Sequence, residues 1–333
     1  MKRMRAIVTG LVFLALCASA KPLEIYFIDV EGGKATLIVS PSGQSLLLDA
    51  GYTNFSGRDA DRIATAAKAA HVKKIDYVLI SHHHSDHEGG VPNLLERLQV
   101  GMFFDSGPSV ETAADQQRTY KAYEAAMAKE HRQVIKAGDT IPVKGIEVTV
   151  VVADGKHIER ALSGKGEPNP FCAGIAPQKD EIAENGRSAG VVVQLGKFRY
   201  ADFGDLTWNK EIELLCPENR VGKVDVYQTS HHGAESSKAI YGLAPRVAIM
   251  DNGARKGGTP EGLRVVKGAP GLEDLWQLHF SLAGAQDSNA PDTLIANVDE
   301  PCEGKYLKLS AEPDGAFTMY NSRNKYGKTY PAR

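Results

Sequence analysis

Apolar positions from residue 23 onward come in short runs separated by turn residues, a pattern of strands rather than long helices. Residues 23–30, 35–40 and 45–51 are three such runs, parted by Gly32-Gly33 and by Pro41-Ser42-Gly43-Gln44, and they predict an N-terminal meander. The period then changes. Residues 59–70 are alanine-rich with Ile63 and Ala67 one turn apart, which predicts a helix leading into a buried strand at 75–80. Gly89-Gly90 and Pro92 open a second helix that continues to Leu98, and a third fits 110–129. Further strands are expected at 146–152, 189–195, 198–202, 224–229 and 247–251, with Gly196-Lys197 as a tight turn. Runs at 306–310 and 317–320 flank Pro313-Asp314-Gly315 and predict a C-terminal β-hairpin. Two mixed sheets with helices outside use these elements economically, so the expected class is α/β (α+β), a four-layer αββα sandwich.

Residues 1–20 stand outside this pattern. Lys2, Arg3 and Arg5 precede an apolar stretch at 6–17, and Ala18-Ser19-Ala20 forms an Ala-x-Ala cleavage site, so a signal peptide and export to periplasm or medium are expected. Leu16 before Cys17 stands where a lipoprotein signal has a small residue, so lipidation is not. The apolar stretch is short for a membrane span and no second one follows. Its removal takes the formal net charge from −2 to −5 with Lys2, Arg3 and Arg5, and no stable nucleic-acid complex is expected of so acidic a chain. Cys172, Cys216 and Cys302 then remain, allowing at most one internal disulfide, of unspecified pairing. No linker divides the chain. The stretch 164–185, with Pro168, Pro170 and Pro177, reads as a long loop over a site.

The chemistry concentrates directly after the strand at 75–80. His82-His83-His84-Ser85-Asp86-His87 places four histidines and a carboxylate on a strand-to-helix loop. In a locally extended segment, residues two apart face one side, so His82 and His84 converge on one cation while His83 points away. Asp86 and His87 lie in the turn and address a second cation. Imidazole with carboxylate suits borderline metals such as Zn²⁺, and a catalytic site keeps one position for water. The plainer alternative, a metal-free surface cluster or a structural clip, fits this spacing less well.

A two-metal site needs more ligands, and two other strand ends offer them: Asp202-Phe203-Gly204-Asp205, and Ser230-His231-His232-Gly233. In order and spacing, Leu48-Asp49-Ala50-Gly51, His82-x-His84-x-Asp86-His87, Asp205 and the late histidines resemble the metallo-β-lactamase superfamily over about residues 23 to 255. Residues 27–35, Asn185-Gly186-Arg187-Ser188 and Ser230-His231-His232-Gly233 resemble its branch of competence-protein nuclease-like domains and choline-phosphate esterases. The resemblance implies a metallo-β-lactamase-like domain at 21–255, with 256–333 an extension packed on it. It implies His82 and His84 on one metal, Asp86 and His87 on the other, Asp205 bridging, and either His231 or His232 completing the second. Asp49 would support the loop from behind. A further metal histidine found in many members has only His131 or, better placed, His157 as candidates, with His279 a distant substitute. Trp276 beside it reads as core.

What the resemblance implies for function is an exported hydrolase using two divalent cations, Zn²⁺ first, Mn²⁺ or Fe as alternatives, to activate a hydroxide. Asp86 would orient that hydroxide, with His231 or His232 as the second catalytic group. The His-His-Gly signature, Asn185, Arg187 and Ser188 as substrate contacts, and Arg255-Lys256 favour a phosphodiester-type or other small substrate. Lactone or β-lactam hydrolysis is the alternative within the superfamily. A non-catalytic, metal-stabilised binding module is the alternative outside enzymology.

Overall fold

In the computed structural model, which describes residues 21–164, 166–179, 183–284 and 286–333, the apolar runs pair into two large sheets. The expected signal peptide lies outside the described residues. In chain order the first half supplies β1 (Leu23–Phe27), β2 (Thr36–Val39), β3 (Ser45–Leu48), α1 (Arg58–Ala69), β4 (Lys74–Leu79), α2 (Val91–Leu95), β5 (Gln99–Asp105), α3 (Ala114–Met127) and β6 (Arg132–Val134). The middle supplies β7 (Glu147–Ala153), β8 (Lys156–His157), β9 (Glu167–Pro168), β10 (Gly190–Leu195), β11 (Phe198–Asp202), α4 (Trp208–Leu215), β12 (Glu218–Asn219), β13 (Val226–Gln228) and β14 (Val247–Met250). The remainder forms α5 (Pro260–Lys267), β15 (Asp274–His279), β16 (Ile295–Asn297), β17 (Leu307–Ala311), β18 (Phe317–Asn321) and β19 (Gly327–Tyr330). The first sheet runs β19-β18-β17-β1-β2-β3-β4-β5-β6, and the second β16-β15-β14-β13-β11-β10-β7-β8.

Burial explains the order of layers. One apolar cluster joins Ile25, Leu46 and Leu309 of the first sheet to Val150, Val193 and Ile249 of the second. A second packs α4 and α5 on the outside of the second sheet, and a third packs α1, α2 and α3 on the outside of the first. The αββα sandwich follows. Strands β2 and β3 are buried at every position because both their faces are covered. In contrast β17 and β18 alternate buried and half-buried residues, one face toward the core. Helix α1 buries Ala60, Ile63 and Ala67 along one stripe, as their spacing requires.

Two expectations change. The helix after Gly90 stops at Leu95, and Gln99–Asp105 becomes β5, a parallel neighbour of β4. Gly90 does stand at the helix start, as expected, and both glycines also permit close approach: an added Cβ would fall 2.1 Å from the Ser85 carbonyl oxygen and 2.0 Å from that of Ala50. Residues 256–333 also do more than pack on a finished domain, since β15 and β16 extend the second sheet and β17 pairs directly with β1. Cys172 and Cys216 form a disulfide, leaving Cys302 free.

Candidate metal centre

The functional residues all follow the carboxyl ends of strands: Asp49 after β3, the histidine loop after β4, Asp205 after β11, His231-His232 after β13 and Lys256 after β14. Because β3 and β4 run parallel, as do β11, β13 and β14, these loops rise at one end of the sandwich. Open α/β sheets bind their ligands at such ends.

There Asp86, His87, Asp205 and His232 bring four buried ligand atoms within 4.8 Å of one another. His87 Nε2 lies 3.2 Å from Asp86 Oδ2, 3.2 Å from Asp205 Oδ2 and 3.3 Å from His232 Nε2. His232 Nε2 is 3.2 Å from each carboxylate. His82 Nε2 stands 4.0 Å from the same Asp205 oxygen and faces His84 Nδ1 at 3.0 Å. Asp205 Oδ2 therefore sits between two groups of imidazoles, where a bridging ligand belongs.

The residues fit a pair of cations. Imidazole nitrogens face each other across both groups, an arrangement that needs a proton or a cation between them. Asp205 Oδ1 is buried without a hydrogen-bond partner among the described residues. Burial pushes the Asp86 and Asp205 carboxyls up, yet His87 beside Asp86 and His232 beside Asp205 hold both well below the usual range. Burial also opposes charge on His232, but Asp205 first, then Asp251 and Asp86, raise it to about 10. Without metal the cluster thus draws positive charge from protons, which divalent cations would displace. His82 keeps the opposite character, its pKa lowered well below normal by burial and then by His87, so the neutral ring is favoured.

Outer partners fix each ring. Asp49 Oδ2 accepts from His87 Nδ1 at 2.8 Å and from the Ser81 hydroxyl at 2.7 Å, and Ser81 Oγ lies 3.1 Å from His82 Nδ1. Glu111 Oε1 is 3.0 Å from His84 Nε2, and Asp251 Oδ2 is 3.6 Å from His232 Nδ1. Carboxylates behind metal-binding histidines set tautomer and orientation. His83 points away, its ring between Glu88 Oε2 at 2.6 Å and the Gly107 carbonyl at 2.7 Å.

Residues 28–157 match the model of the Metallo-beta-lactamase superfamily. That segment, about two-fifths of the chain, is similar to the superfamily's domain. A metal-dependent hydrolase of Anaeromyxobacter sp. (strain K) is 27% identical over 245 residues, covering 70% of this chain and 77% of that protein. Recombination protein 2 of Haemophilus influenzae is 24% identical over 233 residues, covering 69% of this chain but 24% of the relative's length. Among solved structures, the metallo-beta-lactamase fold protein YhfI from Bacillus subtilis covers 86% of this chain and 99% of its own, at 12% identity and a TM-score of 0.46. The matched segment contains the meander and the histidine loop. Asp205 and His232 lie beyond it, brought to the histidine loop by the second sheet.

Of the two late histidines, His232 enters the cluster. His231 stays at its edge, a quarter exposed, with its Nε2 3.2 Å from Asn185 Nδ2. Three expected site residues take other places. His157 is on β8 with Nδ1 2.9 Å from the Ile158 carbonyl, lining a separate cavity, so the chain turns it away from the cluster. Arg187 is engaged by Asp154 and the Pro108 carbonyl, with Glu184 at 3.5 Å, which leaves it no free face for an anion. Ser188 Oγ accepts from the Asp205 backbone N–H at 3.1 Å and so supports the bridging residue instead of a substrate. The sequence reading missed Glu111 and Asp251, whose only signal is a carboxylate opposite a ring in space. It noted Lys256 only as part of a basic pair. Lys256 Nζ bonds Asp86 Oδ2 and lies 3.4 Å from the Tyr52 hydroxyl.

Proposed function

We propose that this chain is an exported metal-dependent hydrolase acting on a phosphodiester-type substrate. The observation that carries the reading is the buried His/Asp cluster with a lysine on its open side: Lys256, 41% exposed, stands beside Asp86 and Tyr52 where an anionic group would arrive. Two divalent cations, zinc first, would supply an acidified water and a counter-charge for the transition state. His82 and His84 would hold one, Asp86, His87 and His232 the other, and Asp205 both.

The chain's own groups divide the remaining work. Lys256 and the Tyr52 hydroxyl bind the phosphate oxygens by charge-assisted hydrogen bonds. Asp86 orients the attacking water. His231, held by Asn185 and with its Nδ1 3.7 Å from Glu235 Oε1, is placed to hand a proton to the leaving oxygen. The similarity to a protein named metal-dependent hydrolase supports the reaction class. The Cys172–Cys216 disulfide and the N-terminal sequence support an oxidising, exported location.

The test is hydrolysis of bis-p-nitrophenyl phosphate by chelator-treated protein resupplied with Zn²⁺ or Mn²⁺, beside a lactone and nitrocefin. Phosphodiester cleavage that depends on added metal is expected. Rapid nitrocefin turnover without it would sink the substrate class. Lys256→Ala should raise KM for the phosphodiester about 10-fold or more, the worth of a hydrogen bond to a charged group, and spare a neutral lactone.

A further inference from the structure

A second group of ligating side chains lies outside the cluster and shares no residue with it: Asp29 just after β1, His279 at the end of β15, and Cys302 between β16 and β17. Cys302 Sγ is 3.1 Å from Asp29 Oδ2 and 3.3 Å from His279 Nε2, and those two are 3.5 Å apart. A tetrahedral zinc ion with ordinary Zn–S, Zn–N and Zn–O bonds would set these edges at about 3.4–3.6 Å, so the triangle opens by a few tenths of an ångström to hold one. We propose that Asp29, His279 and Cys302 bind a zinc-type cation as a structural clip separate from the His/Asp cluster.

The surroundings favour a ligand there over a plain hydrogen-bonded group. His279 is 2% exposed, and its Nε2 faces a thiol and a carboxylate together, the donor types of a zinc site. Burial, with Asp29 beside it, pushes the Cys302 thiol up to about 12, so without a cation it is a neutral donor to Asp29. On binding, the S–H bond breaks and its proton leaves to solvent. Sulfur, imidazole nitrogen and carboxylate oxygen each donate a lone pair, and nothing is oxidised. Arg62 is the competing cation, 3.2 Å from Asp29 Oδ2 and 3.4 Å from Sγ. It keeps Glu31 at 2.9 Å and the Cys302 carbonyl at 3.2 Å when it yields those contacts. Glu31 Oε1, 3.4 Å from Sγ, is the nearest fourth oxygen. Thiolate with imidazole selects zinc over magnesium or calcium.

The clip ties the first sheet to the chain's last third and reaches the cluster through a short segment. Five residues past Asp29, the Lys34 backbone N–H donates to the Asp86 carbonyl at 3.1 Å, and a Cβ on Gly33 would fall 2.6 Å from that same oxygen.

Cobalt reads this site alone, because the cluster has no sulfur. In the full chain carrying Cys17→Ala, with the disulfide intact, Cys302 is the one thiol. Co²⁺ titration should give a sulfur-to-cobalt absorption in the near ultraviolet whose amplitude at saturation corresponds to one cobalt-bound thiolate per chain. Cys302→Ser should abolish it and lower total bound cobalt by one equivalent per chain. Saturating Co²⁺ without that absorption, or an absorption unchanged in Cys302→Ser or His279→Ala, overturns the proposal. No step reads hydrolysis, so the outcome is independent of the function proposed above.

Discussion

Asp49 holds a left-handed φ of 61°, which a non-glycine residue adopts at a cost. That backbone turn aims its carboxylate at three donors at once: the Ser81 N–H at 2.7 Å, the Ser81 hydroxyl and His87 Nδ1. Its charge favours the proton on His87 Nδ1 and leaves Nε2 for a cation. Asp49→Asn keeps the shape and loses the charge. The expected result is a folded protein whose metal affinity, measured by chelator competition, falls about 10- to 100-fold. Unchanged affinity would mean that Asp49 only braces the loop. At this scale the sequence was informative about residue type and mute about direction. His231 and His232 are adjacent and alike, and backbone φ values of 49° and 54° decide which ring turns inward. No pattern of polar and apolar residues encodes that choice.

Elements show why some pieces were legible and others not. Strands β2 and β3 have nearly continuous apolar runs because both faces are covered. The expectation that a helix continues to Leu98 obscured the start of β5, where Gly101 interrupts the apolar run. Strand β15 is hidden from the sequence pattern, because Gln277 and His279 are polar residues buried by hydrogen bonds and contacts that only the fold supplies. Helix α4 carries another such residue. Glu211 is fully buried beneath the His231-His232 loop and accepts from the Ser237 N–H at 2.7 Å and the Tyr227 hydroxyl at 3.2 Å. Burial raises its carboxyl from 4.5 to about 7 against those hydrogen bonds. The folded chain therefore binds this proton more tightly than the unfolded chain. Its contribution is full below pH about 4.5 and is lost as pH rises through about 7, a difference on the order of 3 kcal/mol. Urea unfolding at pH 5 and pH 8 should show Glu211→Gln gaining on the parent protein at the higher pH. An equal gap at both values would remove Glu211 as the cause.

The whole molecule depends on groups that join its two sheets. Lys34, 1% exposed, lies just before β2 in the first sheet, and its Nζ is 2.7 Å from Asp202 Oδ1 and 3.5 Å from Asp251 Oδ2 at the ends of β11 and β14 in the second. Lys34→Met would leave two buried carboxylates without their cation and should cost about 3–5 kcal/mol of unfolding free energy, read by denaturant titration. A loss under about 1 kcal/mol would show the carboxylates protonated or otherwise neutralised. The pairing of β1 with β17 has an effect in time as well as in space. Until Leu307–Ala311 has left the ribosome, Leu23–Phe27 is an unpaired edge, open to any extended chain that meets it. β1 gains its second neighbour only from β17, so that edge stays open to other chains until nearly all of the described fold has been made.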